Sequence, residues 1–323
     1  MNTKFKILEL LEQNRGERIS GERMAGELKI SRNAVWKAIN ELRKSGHRIS
    51  AVPNKGYSLE FDNDILSVQG MLPFLKNAGI SDKITVYDTL ENTNKTAKEL
   101  AVAGAEHITV VVANSQAAGR GRYSRSFYSP AGDGIYLSIV LHPAQLPFAA
   151  PTLITAFAAV AVCRAVESAT GRTPTIKWVN DIFIDGKKLC GILTEAVTDF
   201  ESGAIQWVVV GIGINFSVKT ADFPNELRDI ATSLYPDCNA DITRNRLIAG
   251  IINEITADGE APAELLAEYK RRLMMLGKKI TVKAADESYE AVAVDIDNSG
   301  RLLVETASGE VRALSSGEIG ILV

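Results

Sequence analysis

Cysteine and histidine are scarce in this chain. Cys163, Cys190 and Cys238 are three among 323 residues, odd in number and far apart, which excludes a disulfide framework and a thiolate zinc site. The histidines, at 47, 107 and 142, suggest no imidazole metal centre, and no protein-held metal is expected. There is no run of about 18 apolar residues such as a membrane helix needs. The opening MNTKFKILELLEQ is amphipathic, without the apolar core and cleavage site of a secretory leader. A cytoplasmic protein with no membrane partner is expected. Also missing is any G-x-x-x-x-G-K-[ST] element, and neither Gly119-Arg120-Gly121 nor Gly211-Ile212-Gly213 continues to the third glycine of a dinucleotide fingerprint. P-loop, kinase and Rossmann chemistries therefore fall away.

What is present is a globular composition, 46% hydrophobic and 23% charged, in a chain too long for one ordinary core. Two or three domains are expected. The net charge of −3 is uneven: residues 1–60 hold six Lys and six Arg against seven Glu, which is +5 and leaves −8 for the remainder. A basic module on an acidic body points to nucleic acid as a partner of the first module only. Its pattern agrees. Phe5, Leu8 and Leu11 mark a first amphipathic helix, Ser20 caps a second with Met24 and Leu28 inside, and Ser31 caps a third with Val35, Ile39 and Leu42 inside. The third helix presents Arg32, Asn33, Trp36, Lys37, Asn40 and Arg43 outward, the cations and amides of a DNA recognition helix. Residues 48–59 read as a hairpin wing around Pro53-Asn54-Lys55-Gly56. Residues 1–62 thus read as a winged helix-turn-helix; a three-helix interaction module with a solvated basic face is the competing reading.

Asp62-Asn63-Asp64 reads as a link into a second domain, 63–275. Its patterns suggest helices over 66–78, 94–103, 150–170, 244–258 and 261–275, with strands over 84–88, 107–113, 134–141 and 205–214 and a hairpin over 176–196. Long helices over one face of a largely antiparallel sheet give an α+β layer architecture. Residues 276–323 show only short strands, at 279–284, 290–296, 301–306 and 310–314, as in a small β-barrel.

Two stretches carry chemistry. The loop QAAGRGRYSRSFYSP at 116–130 places Arg120, Arg122 and Arg125 on a backbone loosened by Gly119 and Gly121. Three guanidinium forks suit a multiply charged anion such as a nucleotide phosphate. The segment KWVNDIFIDGKKLCG at 177–191 turns at Asp185-Gly186, which puts Phe183 opposite Lys188, Asp181 opposite Cys190, and Lys177, Asp181 and Lys188 on one face. Such a lysine could bridge a carboxylate and a phosphate; a plain cross-strand ion pair is the competing reading.

With these residues in view, the chain resembles the bifunctional biotin protein ligases that also repress biotin operons. The resemblance rests on Glu91-Asn92-Thr93-Asn94, the loop from Gly119 to Pro130, Lys177-Trp178 with Asn180-Asp181 and Lys188-Leu189 with Gly191-Ile192-Leu193, and Gly211-Ile212-Gly213-Ile214-Asn215. It spans essentially the whole chain. It implies a multidomain α+β protein with a winged helix, a biotin/lipoate-ligase-like catalytic domain built on a mixed sheet, and an SH3-like C-terminal barrel. The implied reaction joins biotin to ATP, with Mg²⁺, as biotinyl-5′-adenylate and then acylates a lysine of a biotin carboxyl carrier protein. Lys188, Arg120 and Arg122 take the catalytic roles. Asn92, Thr93, Asn94, Gln116, Arg120, Gly121, Arg122, Lys188, Gly191, Gly211 and Gly213 match the biotin site, and Arg120, Arg122, Arg125, Asn180, Lys188 and Asn215 the ATP site. The loop would be mobile over 119–127 without ligand and closed with it. Operator DNA and a ligand-induced homodimer are the further partners implied.

The chain departs from the family pattern at Asn92, Phe127 and Val179, where serine, tryptophan and proline are frequent, and at Tyr123, where a further arginine is sometimes found. Arg301 and Arg312 are further cations that could reach the phosphates. A ligase with a non-regulatory winged helix, a non-catalytic biotin-sensing transcription factor and a lipoate-type ligase remain as alternatives.

Overall fold

A computed structural model describes residues 2–148, 150–198, 205–257, 261–284 and 287–321. The N-terminal unit holds α1 (Thr3–Gln13), α2 (Gly21–Leu28) and α3 (Arg32–Lys44), followed by the antiparallel pair β1 (Ile49–Val52) and β2 (Gly56–Leu59). The hydroxyls of Ser20 and Ser31 accept the amides of Arg23 and Ala34 at 3.0 and 3.1 Å, supplying partners that the first helical turn lacks. Ile7, Leu11, Met24, Ile39, Leu42 and Leu59 form its core. Phe5 is not in it: the side chain is 42% exposed, because it lies about 200° round the helix from Ile7.

The link is held firmly. Arg15 Nη1 donates to the carbonyls of Glu60, Phe61 and Asn63 at 3.2, 3.2 and 2.8 Å. From the other side Arg244, itself buried, pairs with Asp64 at 2.7 Å and donates to Asn114 Oδ1 and the Gly134 carbonyl.

The central unit comprises α4 (Val68–Met71), β3 (Ile84–Leu90), α5 (Thr93–Val102), β4 (Thr109–Gln116), β5 (Gly134–Leu141), α6 (Pro151–Thr170), β6 (Thr175–Lys177), β7 (Asp181–Ile184), β8 (Lys187–Thr198), β9 (Ile205–Asn215), α7 (Arg244–Ile255) and α8 (Pro262–Arg272). Its seven strands lie in the order β3-β4-β5-β9-β8-β7-β6, parallel between β3 and β4 and antiparallel elsewhere. In β9, Val208, Val210, Ile212 and Ile214 join the main core beneath α6, α7 and α8. Val209 faces the other way, under α5, and Gly211 and Gly213 continue that second face, as a period of two requires. By length and composition α6 could cross a membrane, and it is instead mostly buried within this core.

Several boundaries differ from expectation. The helix expected over 66–78 is one α turn followed by a 3₁₀ turn at Leu72–Phe74. Pro73 has no amide to give, and Asn253 engages the Lys76 amide and the Phe74 carbonyl that a helix would have used. β4 starts two residues late because Ile108 has φ of 64°. α7 stops at Ile255, and the expected end at Asp258 lies outside the described residues. α8 stops at Arg272 because Leu273 turns extended and bridges Ile176.

The C-terminal unit is one sheet of β10 (Lys279–Ala284), β11 (Glu287–Ile296), β12 (Leu302–Thr306), β13 (Val311–Leu314) and β14 (Glu318–Ile321), in the order β13-β12-β11-β10-β14. It docks on the central unit through Trp178 Nε1, which donates to the Gly300 carbonyl at 3.1 Å, and the Lys270–Asp295 ion pair at 2.8 Å. Strand β14 was not expected. Its four residues pair with β10, and they bring Glu318 to the site.

Candidate active site

A cavity of about 430 Å³ opens on the second face of the sheet, between the arginine loop, β14 and the segment after β9. Its floor is low because β9 carries glycine at alternate positions. A Cβ at Gly211 would lie 2.0 Å from Asn94 Oδ1, and one at Gly213 would lie 2.6 Å from the Phe127 ring. Gly191, across from Gly213, would meet only ordinary contacts at 3.5 Å.

The hairpin that bears Lys188 turns at Asp185-Gly186, both left-handed as a type I′ turn requires (φ 50° and 76°). Phe183 pairs with Lys188 as expected. The expected pairing of Asp181 with Cys190 is wrong: an extra residue, Leu189, slips the register so that Asp181 meets Gly191. This bulge turns Leu189 and Cys190 both into the core and leaves Lys188 and Gly191 on the cavity side. The Lys188 backbone is tied to the segment after β9, donating to Ile230 O and accepting from Thr232 N at 2.8 and 2.9 Å. Its Nζ lies 2.7 Å from Asp181 Oδ1, off the line of a well-aligned hydrogen bond. Lys177 stands across β6 and β7 from Asp181. Burial draws its ammonium below the usual lysine range, against the pull of Asp181.

One end of the cavity is neutral and polar. Asn92 is the cap of α5: its Oδ1 accepts the Lys95 amide at 2.8 Å, which explains why a short polar residue suits that position. Gln116 Oε1 accepts the Thr93 amide at 2.9 Å and its Nε2 donates to Ser129 Oγ at 2.9 Å. Asn94 Nδ2 donates to Leu193 O and Glu195 Oε2, and Lys98 pairs with that same Glu195 at 2.7 Å.

The other end is cationic. Arg122 Nη1 donates to Asn180 Oδ1 at 3.2 Å and Gly317 O at 3.4 Å, and Arg125 forms an ion pair with Glu318. Arg120 is exposed at the rim. Gly121 N donates to Arg125 O at 2.7 Å and Phe127 N to Gly119 O at 2.9 Å, so the loop doubles back on itself. Asn180 and Asn215 are anchored by their own amides, on Ile192 O and Thr232 O at 2.9 and 3.1 Å.

All fourteen residues named for the biotin and ATP sites line this one cavity. Sequence reasoning missed Glu318, the Phe127 ring over the floor, and an apolar rim formed by Phe223, Leu227 and Ile230. The rim had a signal: 223, 227, 230 and 231 carry helical apolar spacing in a stretch that forms no long helix. Arg301 and Arg312 pair instead with Asp297 and Glu310 and do not line the cavity.

On α3, Arg32, Asn33 and Lys37 are exposed, Trp36 is 55% exposed and Asn40 is half-buried. Arg43 is exposed as well, and it also reaches the wing. Its Nε and Nη2 donate to Ile49 O at 2.9 and 2.7 Å, so it braces the wing against the helix.

Comparison with known proteins follows the same division of the chain. The model of the biotin/lipoate A/B protein ligase family matches residues 86–215, that of an HTH domain 3–58, and that of the biotin protein ligase C-terminal domain 275–321. The chain is 38% identical over 320 residues to the bifunctional ligase/repressor BirA of Bacillus subtilis (strain 168), covering 97% of both. It is 28% identical over 324 residues to that of Escherichia coli (strain K12), covering 98% of this chain and 96% of the other. The fold is similar to a biotin protein ligase from Aquifex aeolicus solved with biotin and ATP, with a TM-score of 0.61 over 74% of this chain and 98% of that one at 24% identity.

Proposed function

The chain belongs to the bifunctional biotin ligase/repressor family, and from that premise we propose that it activates biotin with ATP, transfers it to a lysine of a biotin carboxyl carrier protein, and binds operator DNA through its helix-turn-helix. The observation that carries the ligase reading is the polarity of this cavity, whose lining sets the neutral hydrogen-bonding groups of Asn92, Thr93, Asn94 and Gln116 apart from the cluster of Arg122, Arg125, Lys177 and Lys188 that Asp181 and Glu318 offset only in part. A ring with amide-like groups fits the first end and a triphosphate the second, which puts the biotin carboxylate beside Lys188 and next to the α-phosphorus.

In the first step a carboxylate oxygen attacks that phosphorus and pyrophosphate leaves. Lys188 holds the two anions together, and Arg120, Arg122 and Arg125 offset charge on the phosphates. Bound together with ATP, Mg²⁺ would add positive charge beside the phosphates, and Asp181, whose buried Oδ1 has no aligned hydrogen bond, is a cavity carboxylate that would hold it. In the second step the carrier amine attacks the acyl carbon and AMP leaves. Adenine suits the apolar rim of Phe223, Leu227 and Ile230. The loop over 119–127 acts as a lid that keeps water from the mixed anhydride.

Domain limits of 1–62, 63–275 and 276–323, closure of the last sheet as an SH3-like barrel, and a homodimer on a palindromic operator complete the reading. The test is incorporation of labelled biotin into a carrier domain with ATP and Mg²⁺. An inactive parent protein would sink the ligase reading, and undiminished incorporation by Lys188→Ala would refute the role of that residue.

A further inference from the structure

The outward face of α3 keeps its side chains free. Arg32, Trp36, Asn40, Asn33 and Lys37 fall, in that order, within about 140° of arc round the helix, with a cation at each edge and the indole and amides between them. Among the described residues, none of these five side chains makes a hydrogen bond, ion pair or ring contact. Elsewhere in the same module Arg15, Arg23 and Arg48 are paired with Glu12, Glu27 and Asp62. Trp36 is 55% exposed and stands outside the core that α3 supplies through Val35, Ala38, Ile39 and Leu42. It lies on the second turn after the Ser31 cap, the part of a recognition helix that reaches base edges.

An indole pressed into a major groove strips water from the donors and acceptors of most base edges without replacing every hydrogen bond, which is costly. Thymine differs, because it alone among the four bases presents a methyl group there. We propose that Trp36 is a specificity-determining residue that reads thymine, its indole packing on the C5 methyl of one thymine in each operator half-site while Arg32 and Lys37 hold the flanking phosphates. The inference rests on the DNA-binding reading and deepens it by naming the base and the atom recognised. Asn33 and Asn40 suit adenine edges, so the face as a whole favours A·T pairs. The charge of +5 over residues 1–60 favours the same polyanionic partner.

The probes are duplexes enriched from a random library by the full chain with biotin, ATP and Mg²⁺. Each thymine of the enriched site is then replaced singly by deoxyuridine, which lacks only the methyl. In the parent, one position per half-site should lose about fourfold in affinity, the effect of one buried methyl, and about 15-fold when both half-sites are changed. Trp36→Ala should bring the single-site penalty below about 1.5-fold and leave the slope of log affinity against log salt unchanged, because no charged phosphate contact is removed. Trp36→Phe keeps an apolar ring and should retain the penalty. Absence of any uracil-sensitive thymine in the parent would overturn the proposal, as would a full penalty in Trp36→Ala. An equal loss by Trp36→Ala on enriched and random duplexes would place the indole on the sugar-phosphate backbone and overturn it as well. If the parent enriches no duplex, the DNA-binding reading itself fails and takes the proposal with it.

Discussion

Gly211→Ala offers a test in which one side chain decides the sign of the effect. The three atoms nearest a new Cβ all belong to Asn94: Oδ1 at 2.0 Å, Cγ at 2.8 Å and Nδ2 at 3.0 Å. Asn94 cannot swing aside freely, since it is bonded to Ser138, Leu193 O and Glu195. Overpacking of this kind costs about 1–3 kcal/mol, or about 2–4 °C in Tm per kcal/mol for a unit of this size. In an Asn94→Ala background the obstruction is gone. Alanine in a strand interior is then favoured over glycine by about 0.5–1 kcal/mol, so the same substitution should become stabilising. The coupling is therefore about 1.5–4 kcal/mol, well outside the additivity expected of independent sites. Denaturant unfolding of the four proteins in the cycle, followed by tryptophan fluorescence, measures it, and KM for biotin should rise in Gly211→Ala as Asn94 is displaced. Equal effects of Gly211→Ala in both backgrounds, within about 0.5 kcal/mol, would show that Asn94 is not what requires the glycine.

Other outcomes follow from the same geometry. Lys188→Met should lower kcat by about 100- to 1,000-fold while changing stability by no more than about 1 kcal/mol, because its pair with Asp181 is partly exposed; a comparable loss in melting temperature would mean that the residue supports the hairpin rather than the reaction. Arg244→Met strands the Asp64 carboxylate, whose pKa burial already raises, and should cost about 3–5 kcal/mol, with partial recovery in the Asp64→Asn double variant; calorimetry of the two proteins decides it. Burial, with Lys4 and Arg15 nearby, lowers the pKa of His47 to about 4 in the folded N-terminal unit. The folded state thus prefers the neutral ring, so this stabilisation is full above about pH 6.5 and declines by about 1.4 kcal/mol per pH unit as pH falls toward 4. His47→Gln should flatten that slope in urea titrations read by Trp36, and an unchanged slope would count against it. Amide exchange over 119–127 should slow with biotin and ATP bound; equal exchange with and without them would remove the lid.

Much of this arrangement was legible where local chemistry decides it. Ser20 and Ser31 are caps, Asp185-Gly186 is a type I′ turn, and the alternation of glycine with isoleucine over 211–214 gives a floor on one face and a core on the other. What escaped depends on partners far away in sequence. The bulge at Leu189 is stabilised by a core on one side and by residues 230–232 on the other, and no local pattern encodes it. The failure of 66–78 as a helix could have been read from Pro73, while the role of Asn253 in replacing its hydrogen bonds could not.

The contact of Arg122 with Gly317 joins residues 195 positions apart, and Arg125 meets Glu318 beside it. This has a consequence for the order in which a ribosome makes the molecule. The floor, the polar end and Lys188 are all translated well before β14, so a nascent chain can hold most of a binding site while its arginine loop, already tied to Asn180, still lacks Gly317 and Glu318. Ligand captured at that stage would meet an open, wet cavity. The contacts of Arg122 with Gly317 and of Arg125 with Glu318 can form only after translation has reached that strand.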